Sequence, residues 1–303
     1  MALTEKEKEE ILDTLKNTSM RGGRKMVFPE EAKEALKNCT VTSYKRTAGG
    51  REYGFDIIRP ADLAEKALLH INVHGGGFIG PHRENDTLYA AWLAQKIKGI
   101  VVDINDYSTS DRAPWPAAHE QCYDLAKYIF ENAEQLGADP RRISMGGYSA
   151  GGVLTAGVAL RAADTGDFKL CLQVLGYPPL DEVVDPVYKN DSYDSAFPMS
   201  RLRAFSKLYF DGNRDFTRNP YASPVYATDE QLSKQPRTLV ISAGTCNFRF
   251  EDEEYALRLA SRGVEVTWKR FTECGHGFIP HFFTGWEEAG LLIARTIRSA
   301  VSA

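Results

Sequence analysis

No apolar run in the 303-residue chain approaches the roughly 18 to 20 residues that a membrane-spanning helix requires. Nor is there an excess of positive charge. Lys and Arg number 37 against 41 Asp and Glu, a formal charge of -4, and no basic stripe stands out. That balance argues against binding to phosphate backbones or anionic membranes. Cysteine is sparse: the five at positions 39, 122, 171, 246 and 274 are odd in number, scattered and without a CxxC pair. That pattern argues for reduced cysteines. The segment Met1–Lys16 lacks the apolar core of an export signal, so a reduced cytoplasmic protein is expected. Repeats, low-complexity tracts and linkers are missing as well.

What is present is ordinary globular material, 43% hydrophobic and 26% charged. Thr4 and Glu7 have the spacing of a capping box, with Ile11, Leu12 and Leu15 on one face of the helix that follows. Val41–Thr47 and Tyr53–Arg59 read as paired strands around the turn Ala48-Gly49-Gly50. Short Val-, Ile- and Leu-rich runs follow at Leu68–Val73, Gly99–Ile104, Arg142–Gly146, Leu170–Leu175, Thr238–Ala243 and Val264–Phe271. Helix-length segments lie between them at Asn85–Lys98, Ala117–Leu136, Ser149–Ala163, Glu251–Arg262 and Trp286–Ser299. This alternation predicts one α/β domain with a mostly parallel eight-stranded sheet flanked by helices. Residues 1–40 and about 178–230 break the rhythm, the second with one helix expected at Ser200–Phe210. Loops this long inside a domain are usually functional, and a small helical cap is predicted from the two.

Gly147-Tyr148-Ser149-Ala150-Gly151 sits between a strand and a helix, the context that gives G-x-S-x-G its meaning. The turn strains the serine, and only small residues fit two positions to either side. Upstream, Leu68–Val73 runs into His74-Gly75-Gly76-Gly77-Phe78. Successive glycines let backbone N–H groups converge on one point, where a negative oxygen can be held. Each such donor is worth about 3 to 4 kcal/mol of barrier.

These two motifs together resemble the hormone-sensitive-lipase branch of α/β-hydrolase esterases and lipases. Tyr107 with Pro114-Trp115-Pro116-Ala117-Ala118, Tyr177-Pro178, Ser223-Pro224 and His276-Gly277-Phe278 agree, so the resemblance spans about residues 45 to 300. It implies hydrolysis of carboxylic esters through an acyl-serine on Ser149, with oxyanion donors at Gly76, Gly77 and Ala150. Members of that branch often pair through an edge strand or the cap, which leaves a homodimer open for this chain, and the chemistry needs no metal or organic cofactor. Arg112 and Asp111 depart from the Pro and Glu usual at their positions. Of six histidines, His276 has the right order and a glycine-flanked loop after the last strand, and is the expected general base. His70 falls inside a strand, His74 belongs to the glycine loop, and His82, His119 and His281 lack a motif.

The acid is the departure. Counting beyond the seventh strand through Gly244-Thr245-Cys246 puts Asn247 where an aspartate is expected. An amide carries no charge and can favour the wrong imidazole tautomer, which costs about 10⁴-fold in a serine protease. Four alternatives stand: Glu251 one turn on, Asp181 after the sixth strand, a Ser-His dyad oriented by Asn247, or lost catalysis. The alternative to a serine carboxylesterase is therefore a catalytically impaired hydrolase-fold protein that binds a small molecule; amide hydrolysis uses the same residues. Cys246 and Cys274 are expected to be unrelated buried thiols. Asp103, Asp106, Asp111 and Asp191 match no calcium loop and read as solvated or turn-capping. Tyr188, Tyr193, Phe197, Phe205, Tyr209 and Phe210 are candidates to line a pocket or to hold the cap.

Overall fold

Eight strands form one sheet in the order β1-β2-β4-β3-β5-β6-β7-β8, in a computed structural model that describes residues 2–18, 26–189 and 198–301. The strands are β1 (Cys39–Ala48), β2 (Arg51–Pro60), β3 (Ala67–Val73), β4 (Ile100–Asp106), β5 (Ala138–Tyr148), β6 (Leu172–Gly176), β7 (Thr238–Ala243) and β8 (Val266–Phe271). β2 runs antiparallel to both its neighbours, and all other pairings are parallel. The β1–β2 hairpin turns on Gly49 and Gly50, both at positive φ (56° and 74°). A two-residue loop that follows the strand twist needs positive φ, and glycine adopts it without strain.

Along β7 every residue is buried, and successive side chains enter different cores. Leu239 and Ile241 join one cluster with Trp92 and Ile293, while Val240 joins another with Leu160 and Tyr255. A side-chain period of two, with both faces covered, produces that split. The covering helices are α1 (Glu5–Asn17), α2 (Glu30–Lys37), α3 (Glu84–Ile97), α4 (Ala117–Glu131), α5 (Ala150–Thr165), α6 (Met199–Tyr209), α7 (Asp229–Ser233), α8 (Arg249–Ser261) and α9 (Trp286–Ser299). α2, α3 and α9 pack one face, and α4, α5 and α8 contribute to the clusters on the other. No helix among the described residues is long and apolar enough to cross a membrane.

The two segments outside the alternation behave differently. α1 starts with the expected capping box, in which Thr4 Oγ1 accepts the Glu7 N–H and Glu7 accepts the Thr4 N–H. Its Ile11 packs on Ala204 and Leu208 of α6, and Arg201 of α6 donates to the carbonyls of Leu15 and Thr18. Those carbonyls are among the acceptors a helix end leaves without intrahelical partners. α2, by contrast, lies against α3 in the body, with Ala32 and Ala35 in the Trp92 cluster. Residues 1–40 thus divide between α1, which packs on α6, and α2, which covers the sheet.

Candidate active site

β5 ends at Tyr148 and α5 begins at Ala150, so Ser149 alone makes the turn between them. Its backbone sits at φ 55°, ψ -124°, a conformation costing roughly 1–3 kcal/mol that persists only where surroundings enforce it. The enforcement is visible in the hydrogen bonds: Ser149 N–H donates to Gly176 O at 2.9 Å, and Ser149 O accepts from Gly152 and Val153. Both flanking glycines are steric necessities. A Cβ on Gly147 would lie 2.2 Å from Gly151 O, and one on Gly151 would lie 2.2 Å from Val73 O.

The glycine loop after β3 lies against this elbow. A Cβ on Gly75 would be 2.8 Å from Tyr148 O, and Gly76 and Gly77 take φ of 124° and 64°. The loop is held from behind by polar and aromatic groups. His74 stacks on Tyr107 with ring centroids 4.4 Å apart, and its Nδ1 is 2.7 Å from Gly75 O. Burial pushes His74 down to about 3, so it is neutral. Farther along the same loop, His82 Nε2 is 2.7 Å from Asp103 Oδ2, whose other oxygen accepts from Asn72 at 2.7 Å. Burial alone would depress His82, but the charge and hydrogen bond of Asp103, with Asp86 and Asp56 nearby, raise it to about 9. Asp103 is fully buried, which corrects the expectation of a solvated or turn-capping aspartate. Asp106 does pair with Arg112 at 2.9 Å, and Asp191 lies outside the described residues. Among the described residues no group of three or more His, Cys, Asp or Glu could hold a metal ion.

Across 127 residues of chain, His276 Nε2 comes to 2.8 Å from Ser149 Oγ. The ring is buried between Tyr177 and Phe248, edge-on to both at 5.0 and 5.4 Å between centroids. Burial, with His281 adding to it, pushes His276 down to about 3, leaving a neutral imidazole. At its other nitrogen, Nδ1, stands Cys246 Sγ at 3.1 Å. Asn247, the residue counted into that place, is the next in the chain and is 3% exposed. Glu251 accepts the Asp181 N–H at 2.8 Å and the Lys189 ammonium at 3.2 Å, and burial raises it to about 8 despite that ammonium. Asp181 Oδ1 in turn accepts from the amides of Val183 and Val184. Cys274 donates to Thr284 O at 3.2 Å, and both it and Cys246 are free thiols.

A cavity of about 500 Å³ opens above Ser149 and His276. Gly76 and Gly77 line it on the loop side; Leu202, Phe205 and Phe210 line it from α6 and its end. The Phe205 ring lies so close over Gly77 that a Cβ there would meet it at 2.6 Å. The aromatic candidates therefore split: Phe205 and Phe210 face the cavity, Tyr209 stacks on Phe78 at 3.7 Å, and Tyr188 is exposed. Tyr193 and Phe197 lie outside the described residues. Tyr148 also lines the cavity, its hydroxyl donating to that of Tyr89 at 2.8 Å.

The serine–imidazole pair, glycine loop and helix N-terminus can in principle activate a hydroxyl and stabilise an oxyanion. A family model for the alpha/beta hydrolase fold matches residues 70–280. The chain is 30% identical to Esterase LipI of Mycobacterium tuberculosis, over 72% of this chain and 67% of that one. It is 29% identical to an AB hydrolase superfamily protein of Schizosaccharomyces pombe, over 88% of this chain and 79% of that one. In structure it is similar to a hyperthermophilic esterase from Pyrobaculum calidifontis, with a TM-score of 0.80, 28% identity and 99% of each chain covered.

Proposed function

Since the chain belongs to the α/β-hydrolase-fold family, we propose that it is a serine carboxylesterase acting on short-chain or small esters through an acyl-serine. The observation that carries the reading is the 2.8 Å contact between Ser149 Oγ and His276 Nε2. A neutral, buried imidazole at that distance is placed to take the serine proton. The Oγ–H bond breaks, its electron pair attacks the ester carbonyl carbon, and the proton stays on Nε2. Backbone N–H groups of Gly76, Gly77 and Ala150 receive the oxyanion. Ala150 opens α5, where first-turn N–H groups have no intrahelical acceptor and the helix end is partly positive. His276 then hands the proton to the departing alkoxide, and water releases the acid by the same steps in reverse order. The esterase names of the relatives support the same substrate class.

The test is hydrolysis of a short-chain p-nitrophenyl ester by the wild type beside Ser149→Ala. Loss of the nucleophile in a serine hydrolase costs on the order of 10⁶-fold in turnover. Equal rates for the two proteins would refute the reading. The Cys246 thiol 3.1 Å from His276 Nδ1 favours one competitor, a catalytically impaired small-molecule binder. A fluorophosphonate separates them, because an activated Ser149 is labelled covalently and a mere binding site is not.

A further inference from the structure

Cys246 has no part in the steps above, yet its sulfur is 3.1 Å from His276 Nδ1, on the far side of the ring from Ser149. We propose that Cys246 is the positioning residue for His276, its thiol accepting the Nδ1–H in the place where the family resemblance predicts an acid. The assignment rests on Ser149 and His276 working as described.

Three observations converge on it. A base at Nε2 must be bare of hydrogen, and a neutral imidazole has one N–H, so that hydrogen sits on Nδ1 and faces the sulfur. The sulfur presents lone pairs there, for the Phe248 N–H also donates to it at 3.4 Å. Its position is fixed by the loop: Cys246 N–H donates to Ala243 O at 3.0 Å, and Cys246 O accepts from Arg249 at 3.3 Å. With Tyr177 and Phe248 edge-on to the ring, the sulfur is placed to set its rotation.

A thiol orients but does not neutralise. Burial raises Cys246 well above its ordinary range, reinforced by the carboxyl of Asp252, so it stays protonated. When the Ser149 proton arrives at Nε2, the imidazolium keeps both hydrogens and meets a weak dipole at Nδ1, with no negative charge from the thiol. A neutral thiol can also turn its own S–H toward Nδ1, which would move the ring hydrogen to Nε2 and disarm the serine. Cys246 therefore orients the ring without itself supplying charge to the imidazolium.

The experiment compares Cys246→Ala, Cys246→Ser and Cys246→Asp with wild type for kcat, KM, the pH profile of kcat/KM and fluorophosphonate labelling. Ala should lower kcat at least about tenfold with KM held within twofold, and Ser, which restores an acceptor, should recover most of it. Asp should raise kcat about tenfold or more and move the acid limb of the profile up by at least one pH unit, since a carboxylate stabilises the imidazolium. Tyr177 and His281 also stand near His276, and Asp252, Glu251 and Lys189 act on the Cys246 position; none of these is altered in the variants. An Ala variant with unchanged kcat, or an Asp variant with an unmoved acid limb, overturns the proposal. If Ala fails to fold, Ser and Asp decide it. Absence of labelling in the wild type would instead bring down the esterase reading itself.

Discussion

Gly151→Ala probes whether the elbow and the oxyanion loop form one rigid unit. The added methyl would sit 2.2 Å from Val73 O and 2.5 Å from His74 O. Ordinary contact begins near 3.4 Å, so something must retreat by about 1 Å. β3 is paired with β4 and β5 along its length, which makes the loop or the start of α5 the part that yields. Gly76 and Gly77 ride on the first and Ala150 on the second, so either retreat spreads the three N–H groups. A displacement of about 1 Å costs roughly 10²-fold in rate, or about 2.7 kcal/mol. Overpacking of this kind also removes about 1–3 kcal/mol of stability. The assay is kcat on a p-nitrophenyl acetate series with a thermal melt. Gly166→Ala is the control: Gly166 has φ 72° with nothing within 4 Å of a new Cβ, so about 1 kcal/mol of backbone strain is its only cost. A folded Gly151→Ala enzyme with kcat within threefold of wild type would refute the reasoning. So would an equal loss in the control.

His82→Asn removes the cation that faces fully buried Asp103, and breaking such a pair costs about 3–5 kcal/mol. Because His82 is raised to about 9 when folded, its stabilisation is complete below about 6.5, the unfolded value, and disappears as pH rises through 9. Melts of variant and wild type should therefore differ most at pH 6 and converge by pH 10; a gap independent of pH rules this out. Phe205→Ala uncovers Gly77 and widens the cavity, and should raise kcat/KM for a bulky aryl ester relative to the acetate at least about fivefold. An unchanged ratio would show that Phe205 does not bound the substrate.

The elements that carry strong local signals were legible before any coordinates. Strands at Leu68–Val73 and Thr238–Ala243 match β3 and β7 to within a residue, because a short β-branched run between turns has few other uses. Ala117–Leu136 was read too long: α4 stops at Glu131, and the next residues form turns ending at Gly137, at φ 69°. Asp103 looked like one of several surface aspartates, because nothing in the local pattern reveals a histidine 21 positions away that will face it.

Ser149 and its glycines, the loop at 75–77 and the glycine-flanked His276 belong to what the sequence by itself determined. Each is written into a contiguous motif, where backbone strain or close approach allows only certain residue types. Which side chain meets the second nitrogen of His276 belongs to the tertiary structure. Cys246 and Asn247 are neighbours on one loop and both buried, and a count along the chain cannot say which of two adjacent residues puts its side chain against Nδ1. That is settled by how the β7 loop closes against the β8 loop, where a Cβ on Gly244 would lie 2.0 Å from Thr272 O. The backbone crosses so tightly there that the turn has little freedom, and it is the thiol that faces Nδ1.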